Sequence, residues 1–179
     1  MRRSSSRHRH RILRLAGLLL LAAGTAWADA DPYTVIPPRL AQSPVLDGVL
    51  VEAEWQGAAR LSGFTQFEPQ EGAPASEATE VLVGYDTHNL YFAVRANDSD
   101  PGALVAKVLT RDGELTFDDT VEIILDTFHD GRNGFLFSTN PLGAQVGALV
   151  RSEGEQINLD WDGLWSCATH RDDRGYTVE

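Results

Sequence analysis

Carboxylates and aromatic rings are the residues of this chain that could do chemistry. Asp118, Asp119, Asp126 and Asp130 stand at the two ends of one apolar alternation, and Asp98, Asp100, Asp160 and Asp162 lie elsewhere. Calcium is held by several carboxylate and carbonyl oxygens in a flexible loop, which makes the first four candidate calcium ligands. None of these residues has the spacing of a twelve-residue calcium loop, and the alternative is a set of turn and surface residues on a very acidic protein. Glycoside hydrolysis needs two carboxylates about 5–9.5 Å apart across a cleft. Glu122 and Asp126 share a strand face but stand roughly 13 Å apart at strand rise, so they are not that pair by themselves. HExxH, G-x-S-x-G and phosphate-cradling glycine motifs are missing from the sequence, and no catalytic residue is assigned.

The aromatic residues carry more. Tyr91, Phe117, Trp161 and Trp165 fall at strand edges or beside turns. The apolar face of a sugar ring stacks on a flat aromatic ring, while carboxylates, amides and arginine bond its hydroxyls; Arg95 is the candidate donor of that kind. A mostly apolar concave site with a few polar groups is what such binding requires. The competing role for both tryptophans is to cover the end of the core. Trp55 reads as a core plug, and the single cysteine, Cys167, as a buried inert thiol.

Strands must position these residues. Thr120 to Thr127 sets Val121, Ile123 and Leu125 on one face against Thr120, Glu122 and Asp126, which is period two. A loop with Gly131 and Gly134 leads to a second strand, Phe135 to Thr139, making a hairpin. Glu80 to Asp86 and Leu90 to Ala96 form another hairpin around Asp86-Thr87-His88-Asn89. Leu61 to Phe67, Ala144 to Arg151, Leu164 to His170 and Tyr176 to Glu179 read as further strands, and Tyr33 to Ile36 as a short edge strand. Leu104 to Thr110 fits a strand or a helical turn equally. Asp47-Gly48 is a turn pair, and Glu52 to Trp55 one helical turn. Seven to nine short strands without a long helical period predict an all-β fold, an antiparallel β-sandwich.

The first 28 residues read as a signal peptide. Arg2, Arg3, Arg7, Arg9, Arg11 and Arg14 form a basic n-region, Ile12 to Ala23 is a short apolar run, and Ala26-Trp27-Ala28 is an A-x-A cleavage site. Residues 29–43 form a polar lead-in and 44–179 the sandwich. Beyond the signal, nine Lys+Arg face 26 Asp+Glu, a formal charge of −17. Such a surface is unsuited to nucleic acid or to anionic lipid. The strand that begins at Tyr176 is cut at its fourth residue, so the sequence reads as part of a longer protein.

Four motifs in order resemble family 9 carbohydrate-binding modules. They are Pro44-Val45-Leu46-Asp47-Gly48 with Glu52, Glu54 and Trp55; Tyr85-Asp86-Thr87-His88-Asn89-Leu90-Tyr91-Phe92; Asp119-Thr120-Val121-Glu122-Ile123-Ile124-Leu125-Asp126; and Gly175-Tyr176-Thr177-Val178-Glu179. Asn133-Gly134-Phe135, Asn140-Pro141-Leu142-Gly143 and Trp161-Asp162 are similar to a subgroup found ahead of long β-barrels in bacterial outer-membrane proteins. The resemblance implies a jelly-roll sandwich, carbohydrate or polysaccharide as partner, a role in carbohydrate catabolism, and a periplasmic or outer-membrane location. Sugar-binding members clamp the sugar between two tryptophans; where one of them stands, this chain has Thr116 and Phe117. Two other roles are compatible with the motifs: an interaction or gating domain preceding a C-terminal β-barrel, and the binding module of a glycoside hydrolase whose catalytic domain lies downstream.

Overall fold

The computed structural model describes residues 34–51 and 53–179. The signal segment, residues 29–33 of the lead-in and Glu52 lie outside the described residues. Nine strands form in chain order: β1 (Ala59–Leu61), β2 (Thr79–Tyr85), β3 (Leu90–Asn97), β4 (Val121–Leu125), β5 (Gly134–Thr139), β6 (Gln145–Arg151), β7 (Gln156–Asn158), β8 (Thr169–Asp172) and β9 (Gly175–Val178). They build two antiparallel sheets, ordered β1-β2-β3-β9-β8 and β4-β5-β6-β7. Among the described residues the only helical turns are two short 3-10 segments. The chain is an all-β sandwich, as its alternations predict.

The β2–β3 hairpin pairs Val81 with Val94 and Val83 with Phe92, placing both pairs on one face. That face turns toward the second sheet: Val94, Tyr176 and Val178 form a buried cluster against which Val121 of β4 packs. The opposite face carries Leu82, Tyr91 and Ala93, and the amino-terminal segment covers it with Leu40 and Trp55. The five-stranded sheet is thus buried on both sides, which is why β3 is apolar at nearly every position. Leu40 lies on Gly84, where a Cβ would come within 2.6 Å of its side chain.

One polar latch joins the beginning of the sandwich to its last strand. The Glu179 carboxylate accepts hydrogen bonds from Gly48 N (2.8 Å), Asp47 N (3.2 Å) and Trp55 Nε1 (2.9 Å). The Thr177 hydroxyl donates to Gly48 O. Gly48 has φ +83°, and a Cβ there would meet the Thr169 carbonyl carbon at 2.5 Å, so only glycine fits this turn. Two separate sequence motifs, the Asp-Gly turn with its tryptophan and the terminal Gly-Tyr-x-Val-Glu, are one structural unit.

Several expected elements differ. The strand expected over Leu61 to Phe67 ends at Leu61, because residues 64–66 fold against the proline-bearing loop instead: Gln66 N donates to Ala73 O and Ala75 N to Phe64 O. The segment Leu104 to Thr110 is neither strand nor helix. Its amides bond carboxylates, Val105 N to Asp119 and both Lys107 N and Val108 N to Asp118, so side chains replace a ladder. The strand expected over Leu164 to His170 is assigned only from Thr169, with Ala168 already exchanging backbone hydrogen bonds with Glu179, and residues 164–167 before it are irregular. Cys167 is partly buried in that irregular run, outside any strand. Thr34 to Ile36 form no strand, and Tyr33 lies outside the described residues. Residues 53–57 make turns rather than a helical turn ending at Trp55.

Candidate functional site: an aromatic row and the cleft beside it

The inner face of β5 presents Phe135 and Phe137, two residues apart and therefore on the same side. Opposite Phe137 on β6 stands Gly147. Its missing side chain leaves room for Trp161, whose ring would lie 3.3 Å from a Cβ at that position. Gly163 is tighter still, with a Cβ falling 2.3 Å from the same indole. Trp161 is thereby seated over β5, tilted on Phe135 at 5.0 Å between ring centroids and edge-on to Phe137 at 5.7 Å. Trp165 meets Phe137 edge-on at 5.4 Å, and Phe128 of the β4–β5 loop lies nearly parallel to Phe135 at 6.4 Å. The five rings form a continuous row along the inner face of the four-stranded sheet. Phe128 is exposed and the other four are half-buried.

A cleft of about 700 Å³ opens between the two sheets at the Trp165 end of this row. Phe92 and Val94 of β3 form one wall; Ile123, Leu125 and Phe137 of β4 and β5 form the other. Polar groups sit at its margins, among them His88, Asn89, Thr139 and Ser166. Size and lining are those of a small-molecule site, apolar with a few hydrogen-bonding groups. The Trp165 Nε1 donor is buried with no protein acceptor. A second hollow of about 300 Å³ lies at the other end of the row, against Phe128 and Phe135.

The five residues expected to bind ligand do not converge. Trp161 and Trp165 share the row. Tyr91 lies on the opposite face of the five-stranded sheet, packed with Leu40 and Trp55; it borders the cleft, and its hydroxyl donates to Asp86 (2.8 Å). Arg95, on the same face as Tyr91, is paired with Asp172 at 2.8 Å. Phe117 is 80 % exposed on the segment before β4 and lines neither hollow. Phe128, Phe135 and Phe137 went unassigned from sequence, although the Phe-Leu-Phe alternation of β5 was the available signal.

The four expected calcium ligands separate into two places, at opposite ends of β4. Asp118 accepts from Lys107 N, Val108 N and Asn140 Nδ2, and the Lys107 N–H does most to hold its carboxyl below the usual range. Asp119 accepts from Val105 N. Asp126 accepts from Gly131 N (2.7 Å) and Phe128 N, and Asp130 from Arg132 N, Asn133 N and Asn133 Nδ2. Both carboxyls are lowered, chiefly by the Gly131 N–H and the Asn133 side-chain amide respectively. Asp126 and Asp130 close their own loop, and Asp118 and Asp119 tie down the 105–108 segment. Among the described residues no three His, Cys, Asp or Glu side chains gather as a metal cage.

None of the protein families, curated proteins or solved structures compared with the chain matches it.

Proposed function

We propose that the chain is a non-catalytic carbohydrate-binding module whose ligand seats where the aromatic row meets the inter-sheet cleft. The row of half-buried rings carries this reading: a sugar's C–H face pairs with such rings, and the marginal His88, Asn89 and Ser166 are placed to bond its hydroxyls. The unpaired Trp165 Nε1 supports it, because a buried donor gains from an acceptor. The ordered resemblance to family 9 modules, which implies a jelly-roll winding, and the signal-like residues 1–28 support an exported location for it. Isothermal titration against a panel of soluble glycans tests it. Heat is expected with at least one glycan and is expected to weaken on Trp165→Ala; flat traces across the panel would sink the proposal.

The second reading is an interaction domain joined to an outer-membrane β-barrel. The outward face of the four-stranded sheet favours it, with Ile124 60 % and Ile157 56 % exposed. Under that reading Ile124→Lys abolishes partner capture and leaves every glycan trace flat from the start.

A further inference from the structure

We infer that the hollow at the Phe128 end of the row is a second sugar subsite, shaped for a neutral pyranose, so that the ligand is a glycan chain lying along the row. This rests on the carbohydrate reading and extends it from one sugar unit to several. The floor of the hollow is the Phe128–Phe135 pair, inclined at only 28° to one another. Its rim carries Asp130, Asn133 and Arg151. Asp130 Oδ1 accepts from Arg132 N and Asn133 N, both at 2.8 Å, and Oδ2 accepts from Asn133 Nδ2 at 2.7 Å. These bonds fix the loop. Glu153 N donates to Arg132 O, and the Arg132–Glu153 ion pair at 3.5 Å ties the loop to the turn after β6. The hollow is therefore walled from two sides before any ligand arrives.

The rim chemistry selects the sugar. Arg151 only donates, Asp130 only accepts, and the Asn133 carbonyl oxygen, which no donor among the described residues engages, accepts as well. A hydroxyl both donates and accepts, so a ring bearing several matches the set. Arg151 forms no ion pair among the described residues, in a chain with 26 acidic residues, which leaves its guanidinium free for a ligand. Asp130 and Arg151 balance in charge; a uronate would meet Asp130 and an amino sugar would meet Arg151. Phe135 belongs both to this floor and to the row, and through Trp161 it leads to Phe137 and Trp165 at the cleft. One chain of stacked sugars can follow that line from hollow to cleft.

The test is titration of the whole chain with neutral β-1,4-gluco-, β-1,4-xylo- and α-1,4-gluco-oligosaccharides of two to six units, and with oligogalacturonides of the same lengths. Affinity for one neutral series is expected to rise about tenfold from the disaccharide to the hexasaccharide, as a second subsite fills. Phe128→Ala and Arg151→Ala, both on exposed side chains, are expected to remove that gain and leave disaccharide binding intact. Hexasaccharide affinity unchanged in both variants, while Trp165→Ala weakens it, overturns the subsite and leaves the binding module standing. Tighter binding of oligogalacturonide overturns the neutral class. No binding of any glycan by the unaltered chain overturns both readings.

Discussion

The two sheets use their aromatic residues in opposite ways. On the five-stranded sheet Tyr91, Tyr176 and the covering Trp55 are buried, only Phe92 at the cleft and Tyr85 at the end of β2 being more open, and the polar ends of Trp55 and Tyr91 have partners: the Trp55 indole donates to Glu179 and the Tyr91 hydroxyl to Asp86. Burial and the nearby Asp119 charge push the Tyr176 phenol up to about 12. In the four-stranded sheet Phe135, Phe137, Trp161 and Trp165 stay half-exposed, and Trp165 keeps a donor without an acceptor. A ring that is covered and has its polar end bonded is part of the core. A ring left half-open beside a cleft is available to something else.

Substitutions can break this contrast. The largest effect is expected from Trp55→Ala, which empties a site 3 % exposed and leaves Glu179 short of a donor. Chemical denaturation should register a loss of about 3–5 kcal/mol. Trp165→Ala is expected to cost less, about 1–2 kcal/mol, while weakening glycan affinity about tenfold or more. If both tryptophans cost the same stability and neither altered binding, the distinction between the sheets would fail.

Acid offers a smaller perturbation that acts on both sheets. Asp86 is held well below the usual carboxylate range, first by the Ser43 hydroxyl and then by the His88 and Asn89 amides and the Tyr91 hydroxyl. Asp118, Asp126 and Asp130 are lowered as well. Groups lowered on folding contribute fully above their unfolded value of about 4 and lose that contribution as pH falls through the folded one. The melting temperature is therefore expected to be insensitive to these groups from pH 5 to 7, and to decline below about pH 4. Asp86→Asn should reduce that decline in a pH series of thermal melts. The smallest effect is expected from Phe117→Ala, within about 0.5 kcal/mol by denaturation and without change in glycan titration.

Local pattern made part of this legible. The alternations of β2 to β6 were readable because each face is set by period two, and the tryptophans near residue 160 stood out by type. Alternation does not say what covers a face, so Tyr91 and Arg95 looked available when one was covered by Leu40 and Trp55 and the other paired with Asp172, 77 residues away. Phe135 and Phe137 looked like ordinary strand residues because the rings that join them come from the loop at residue 128 and from the irregular run around 161–165. Asp118 and Asp119 looked like ligands because their backbone partners lie in a segment with no periodicity of its own, and Asp126 and Asp130 because spacing does not show that the amides of their own loop occupy them.

The Trp55–Glu179 hydrogen bond joins residues 124 positions apart. The β2–β3 hairpin and the β4-β5-β6 meander close over a few residues each, at far lower entropic cost. A contact of such separation is expected to form after the folding barrier is crossed. Trp55→Ala should then speed unfolding several-fold and leave the refolding rate almost unchanged, which stopped-flow measurements in denaturant would read directly. In kinetic terms the latch is a brake on opening: it sets how long the sandwich stays closed, and has little influence on how fast it closes.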